Sequence, residues 1–188
     1  MSDTWRVFCA IDLPTDLKQK LAIHIEKLKK ETGVNAGWTR PESIHLTIKF
    51  LGNIPVSEVR KLSQAAAQAV KSLAPFKLTA ELCGAFPTHG PPRVLWIGIT
   101  DSSAHLARLY ERLDEECAAV GFPRESRPFH PHLTLARIRR AANARALGAA
   151  HHAFDFPPGE FEVNELLVIR SELGKEGSKY TTVSRHPF

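Results

Sequence analysis

Residues 44–51, Ile44-His45-Leu46-Thr47-Ile48-Lys49-Phe50-Leu51, alternate between apolar and polar side chains, and Pro131-His132-Leu133-Thr134-Leu135-Ala136-Arg137-Ile138 takes up the same pattern later in the chain. Period-two alternation marks a half-buried strand, because successive side chains leave a strand on opposite faces. In the first run Ile44, Leu46, Ile48 and Phe50 fall on one face, and His45, Thr47 and Lys49 on the other. In the second, Leu133 and Leu135 face a core while His130, His132 and Thr134 share the opposite face. Each run therefore sets an imidazole and a hydroxyl side by side, ~6.6 Å apart along the strand. One His-x-Thr arises readily by chance. Two that agree over four positions, 87 residues apart, do not.

Working outward, the two runs occupy equivalent slots. Residues 5–12 form a short apolar strand, and Pro14 and Thr15 open a helix with Leu17, Leu21, Ile25 and Leu28 on one face, closed by Gly33. After the first His-x-Thr strand, Pro55 and Ser57 begin a helix to about Leu73, and 76–82 form a strand. Gly84, Pro87, Gly90, Pro91 and Pro92 then make 84–92 a loop. The order recurs: strand 94–100, helix 103–120, strand 131–138, helix 140–150, strand 161–170, and a last short strand at 179–184. The expectation is an α+β fold. It comprises two pseudo-symmetric lobes, each an antiparallel or mixed sheet with helices on its outer face, flanking a central cleft. Residues 1–188 form one bilobal unit with the lobe boundary near 84–92.

The 188 residues are 43% hydrophobic and 24% charged, enough for one sizeable core and too balanced for a disordered chain. No run approaches the roughly 18 apolar residues of a membrane helix, and Met1-Ser2-Asp3-Thr4-Trp5-Arg6 has no secretory pattern. Cys9, Cys83 and Cys117 are scattered and odd in number, as expected of reduced thiols in a cytoplasmic protein. A net charge of +5 fits an anionic partner such as nucleic acid. A monomer is the default state.

Two lobes about a pseudo-two-fold axis bring the two polar faces together. Substitution at phosphorus wants a base on the incoming oxygen and an acid on the leaving one, and two imidazoles on opposite sides of a phosphate supply both. Threonine hydroxyls can donate to the non-bridging oxygens. No carboxylate cluster accompanies the motifs, so a two-metal mechanism lacks its ligands and no metal or cofactor is expected. His151-His152 form a helix-end pair with nothing nearby in sequence to complete a metal site, and His89 and His105 carry no signal.

With Arg127-Pro128-Phe129-His130-Pro131 before the second motif, the two motifs resemble the 2H phosphoesterase superfamily, and within it the RNA 2′,3′-cyclic phosphodiesterases, or 2′-5′ RNA ligase-like proteins. Other matching segments are Arg6-Val7-Phe8-Cys9-Ala10-Ile11-Asp12-Leu13-Pro14, Trp38, Arg93-Val94-Leu95-Trp96-Ile97-Gly98 and Arg170-Ser171-Glu172-Leu173. The resemblance implies metal-independent hydrolysis of RNA 2′,3′-cyclic phosphate ends to a 2′-phosphate and a 3′-hydroxyl. It also implies reversible ATP-independent 2′-5′ ligation, His45 as proton donor and His132 as proton acceptor. The motifs alone, being nearly symmetric, leave donor and acceptor open. They are also compatible with a phosphodiesterase for 2′-5′-linked oligonucleotides or small cyclic nucleotides, and with a non-catalytic RNA-binding module.

Thr47, Thr134 and Arg137 are the candidate phosphate-binding residues. Strict alternation turns Arg137 away with Leu133 and Leu135, so it reaches the cleft only if the strand twists or bulges. Trp38 and Phe129 are candidates for base stacking. Lys49 shares the face of His45, where it is solvated or touches RNA backbone. His130 serves as a bystander or supports His132, and Tyr180 and Arg170 approach the cleft.

Overall fold

A computed structural model of the protein describes residues 3–139, 144–174 and 177–188. Among them the chain runs β1 (Thr4–Ile11), α1 (Thr15–Thr32), β2 (Gly37–Trp38), β3 (Leu46–Pro55), α2 (Val59–Val70), β4 (Phe76–Phe86) and β5 (Val94–Thr100). It continues with α3 (His105–Ala119), β6 (His132–Arg137), α4 (Ala144–Ala153), β7 (Gly159–Val163), β8 (Glu165–Gly174) and β9 (Gly177–Pro187). The start of the helix expected over 140–150 lies outside the described residues. Among the described residues, no helix is long and apolar enough to cross a membrane.

The strands form one curled antiparallel sheet, ordered β7-β4-β5-β6-β3-β1-β8-β9, with β2 paired to β6. Its two halves, β7-β4-β5-β6 and β3-β1-β8-β9, meet at the motif strands, through the single register pair Leu46↔Leu133. A pseudo-two-fold axis through that pair relates β3 to β6 and β1 to β5. This is the expected α+β architecture, with a connectivity that element order alone does not reveal. β4 precedes the 84–92 loop, yet it pairs with β5 in register from Thr79↔Thr100 to Phe86↔Val94. That loop is therefore a hairpin turn inside one half of the sheet, and the chain crosses between halves earlier, from α2 into β4. The strand expected at 161–170 is two strands broken at Asn164: β7 pairs with β4 in one half and β8 with β1 in the other. The half β7-β4-β5-β6 is thus continuous in sequence, whereas the half β3-β1-β8-β9 joins the two ends of the chain.

The helices cover one face. α1 packs against α4, and α4 against β4, while α2 and α3 pack together, α2 against β8 and β9 and α3 against β3. The main core lies between sheet and helices, where Leu21, Ile25, Leu46, Leu62, Ile97, Leu109 and Leu133 are fully buried. α1 presents Leu17, Leu21, Ile25 and Leu28 at helical spacing. It stops where Gly33 takes φ +60°, a left-handed conformation that costs glycine little. The opposite, open face carries a small buried apolar cluster of Phe8, Ala10, Leu167 and Ile169, with Tyr180 against it.

Candidate active site

Leu46 and Leu133 are paired and both are fully buried on the helix side. The neighbours one residue away must then lie on the open face. Antiparallel pairing runs His45 towards Thr134 and Thr47 towards His132, so the four motif side chains form one patch astride the pseudo-two-fold axis. Cross-strand neighbours on one face sit roughly 5 Å apart, and diagonal ones roughly 7–8 Å.

Both histidines are fixed in the same manner. His45 Nδ1 is 2.9 Å from the carbonyl oxygen of Ser43, and His132 Nδ1 is 2.6 Å from that of His130. A carbonyl only accepts, so Nδ1–H donates in each case and Nε2 is left free. Neutral, each ring offers a lone pair at Nε2; protonated, it offers an N–H there. The residue two positions upstream thus acts through its backbone, which is the role His130 has; its own ring stands exposed at the rim.

Aromatic packing fixes the ring planes. His45 stacks on Phe8 (centroids 4.6 Å, interplanar 22°) and meets Tyr180 edge-on at 5.2 Å. His132 meets Phe86 edge-on at 5.2 Å and lies 6.2 Å from Trp96. The Trp96 ring lies over Gly84, where a Cβ would sit 2.0 Å from its Cη2, so only glycine fits beneath it. Tyr180 approaches the cleft as its sequence position suggests. Phe8 and Trp96 carry no such signal, since each lies in an apolar run that reads simply as core, and Phe86 falls in the stretch expected to be loop, whereas β4 extends through it.

Burial pushes both imidazoles below the ordinary histidine range, but their charged neighbours differ. For His45 the Ser43 carbonyl and the Asp12 carboxylate oppose the burial effect, while Lys18 adds to it. For His132 the His130 carbonyl opposes burial, while Arg137 and the His130 ring push further down. Asp12 follows Ile11, the partner of Leu46, and its counterpart beside His132 is Gly98.

A β-bulge follows each motif. On β6, Trp96 pairs with Thr134 and Leu95 with Ala136, leaving Leu135 as the extra residue. Parity inverts there, so Ala136 turns inward and Arg137, opposite Val94, joins Thr134 on the open face. This is the bulge that Arg137 requires to reach the cleft. On β3, Ala10 pairs with Thr47 and Cys9 with Lys49, leaving Ile48 as the extra residue. Lys49 consequently turns to the helix side, which corrects its expected place beside His45. There it is buried, with Nζ 2.5 Å from Asp114 Oδ1 of α3 and 2.9 Å from the Pro123 carbonyl oxygen. Phe50, opposite Phe8, takes the open face, with the Arg6 guanidinium 4.5 Å from its ring centroid.

Of the two stacking candidates, Phe129 lies parallel to Tyr110 of α3 at 4.3 Å, on the wall of a cavity of about 580 Å³ also lined by Thr47, Phe86, Arg127 and His132. Trp38 pairs with Ala136 on the inward side, packs against the main core and has Lys29 Nζ 5.8 Å above its ring. Its two-residue strand does not bring it to the histidines. Arg170 covers Trp5 at 4.4 Å and pairs with Glu172, also apart from them. His151, for which the sequence offers no partners, lies beside His24 and Cys83 on the helix side.

The sequence profile of the 2′-5′ RNA ligase superfamily matches residues 17–175. An RNA 2′,3′-cyclic phosphodiesterase of Thermotoga maritima is 31% identical over 183 residues, covering 97% of this chain and 95% of the relative. One of Escherichia coli K12 is 30% identical, covering 98% and 97%. Among solved structures, a protein of Thermus thermophilus superposes with a TM-score of 0.77 at 28% identity, covering 97% of each chain. The E. coli LigT complexed with 3′-AMP superposes with a TM-score of 0.76 at 25% identity, covering 99% of each chain. The chain belongs to the 2′-5′ RNA ligase superfamily.

Proposed function

We propose that this member of the 2′-5′ RNA ligase superfamily hydrolyses RNA 2′,3′-cyclic phosphate ends to a 2′-phosphate and a 3′-hydroxyl, with His45 as general acid and His132 as general base. The observation that carries the reading is the pair of matched imidazoles, each anchored through Nδ1 and free at Nε2, with unlike charges beside them. The curated relatives named RNA 2′,3′-cyclic phosphodiesterase support the substrate class.

In this reading the cyclic phosphate sits between the two Nε2 atoms. His132 Nε2 takes a proton from water as the water oxygen attacks phosphorus. The P–O3′ bond opposite breaks, and His45 Nε2–H protonates the departing 3′-oxygen. Asp12 favours the charged acid and Arg137 favours the neutral base, which gives a direction to a nearly symmetric site. Thr47 and Thr134 donate to the non-bridging oxygens and Arg137 supplies countercharge. Ligation follows the same path with a 5′-hydroxyl in place of water: His132 takes its proton as the 5′-oxygen attacks phosphorus, the P–O3′ bond breaks and His45 protonates the 3′-oxygen, leaving a 2′-5′ linkage; cleavage of that linkage exchanges the proton roles.

The test is incubation of the protein, with and without EDTA, with an oligonucleotide ending in a 2′,3′-cyclic phosphate, the product phosphate being assigned by ³¹P NMR. A 2′-phosphate formed equally well in EDTA is expected. A 3′-phosphate, or no turnover alongside cleavage of 2′-5′-linked oligonucleotides or small cyclic nucleotides, overturns the proposal. Binding of RNA without any turnover would make the cleft a recognition module.

A further inference from the structure

His24 on α1, Cys83 on β4 and His151 on α4 are remote in sequence, yet their ligand atoms all lie within 4.8 Å of one another. His24 Nε2 is 3.1 Å from His151 Nδ1, and Cys83 Sγ is 3.9 Å from His24 Nε2. A tetrahedral zinc ion, with bonds near 2.0–2.1 Å to nitrogen and 2.3 Å to sulfur, spaces its ligand atoms about 3.3 Å (N to N) and about 3.6 Å (N to S) apart. The observed separations straddle these values. We propose that His24, Cys83 and His151 form a binding site for a zinc-class divalent cation, separate from the phosphodiesterase face.

Three further features fit a metal site. His151 Nε2 is 3.0 Å from the Trp96 carbonyl oxygen, so Nε2–H donates there and the Nδ1 lone pair is aimed at the other two ligands. A backbone carbonyl on the far nitrogen is a usual support for a metal-binding imidazole. Both rings are buried, His151 completely, which shields an ion held between them from water on that side. Cys83 also lines two surface cavities, of about 630 and 420 Å³, which give an ion a way in and leave a fourth position open to solvent.

The same atoms also close as a hydrogen-bonded chain, His24 Nε2–H to His151 Nδ1 and Cys83 S–H to the Phe154 carbonyl at 3.3 Å. Binding would replace both contacts. His24 shifts its proton to Nδ1, and the Cys83 proton leaves to solvent as the S–metal bond forms.

Titration of EDTA-stripped, reduced protein with Co²⁺ separates the two arrangements. One Co²⁺ per chain is expected, with a thiolate charge-transfer band in the near ultraviolet and strong four-coordinate bands in the visible, all displaced by Zn²⁺. Cys83→Ser and His24→Gln should remove the near-ultraviolet band, with circular dichroism confirming the fold, while Cys117→Ala, His45→Ala and His132→Ala keep it. Absence of the band in the folded wild type, its persistence in Cys83→Ser, or only weak six-coordinate absorption from surface histidines overturns the site. Cyclic-phosphate hydrolysis in EDTA is read separately, so the two proposals can fail independently.

Discussion

At the position three residues past each threonine, β3 carries Phe50 and β6 carries Arg137, and beside each histidine β1 offers Asp12 where β5 offers Gly98. Up to the threonines the two strands are interchangeable: the same Nδ1 anchor two residues upstream, the same buried leucine, the same bulge. Beyond them they diverge. The bulge sends Lys49 into a buried ion pair with Asp114 on one side, and only the methyl of Ala136 inward on the other. The shared part builds a pair of proton carriers. In the proposed mechanism the unshared part decides which of them carries the proton, and it also holds each half together differently.

The comparison is tested most severely by removing the shared part. His45→Ala and His132→Ala are each expected to lower turnover about 10²–10⁴-fold, and the double variant should be little worse than the poorer single one, because acid and base act in one step. A variant that keeps near-full turnover in a cyclic-phosphate assay breaks the pairing.

Next in size is the buried pair. Lys49→Ala leaves the Asp114 carboxylate with the Glu125 backbone N–H at 3.0 Å and the Arg124 guanidinium at 3.4 Å, and should cost about 3 kcal/mol in a urea titration. At the mirrored position Ala136→Gly should cost about 1 kcal/mol. Equal losses would mean that the two inward positions are not as different as their partners suggest.

Arg137→Ala comes third. Loss of a charge-assisted contact to phosphate is worth about 1.5–3 kcal/mol, so kcat/KM should fall about 10- to 100-fold, while Phe50→Leu should leave it nearly unchanged. A fall that is no larger for Arg137→Ala places the phosphate elsewhere.

The smallest effect is the most diagnostic. With His45 as acid, activity falls at high pH as His45 loses its proton, and at low pH as His132 gains one. Asp12→Asn removes a charge that raises His45 and frees Lys18, 2.6 Å from Asp12, which lowers it; the alkaline limb of the kcat/KM profile should move to lower pH. Arg137→Ala removes a charge that lowers His132, so the acid limb should move to higher pH. If Asp12→Asn shifts the acid limb instead, the roles of the two histidines are reversed.

Much of this is written locally in the chain. His45, Thr47, His132 and Thr134 are legible because strand parity needs only neighbours, and the α+β class because helical and strand periods alternate. What escapes is non-local. A bulge is a mismatch between two strands, so alternation on one strand cannot put Lys49 inward or Arg137 outward without the partner's register. The pairing of β4 with β5, and the split of 161–170 at Asn164, depend on which edge each strand meets. Trp38 lies on the inward side through a two-residue ladder too short to leave a pattern. His24, Cys83 and His151 meet only because α1 crosses onto α4 and β4.

One half-sheet, β4 to β7, is a continuous stretch of chain set into the other, which joins β1 and β3 to β8 and β9. The outer half therefore closes only when the two ends of the chain meet, β1 pairing with both β3 and β8. His132 is thus carried on the inserted half and His45 on the outer one, and separating the two halves takes two cuts in the chain.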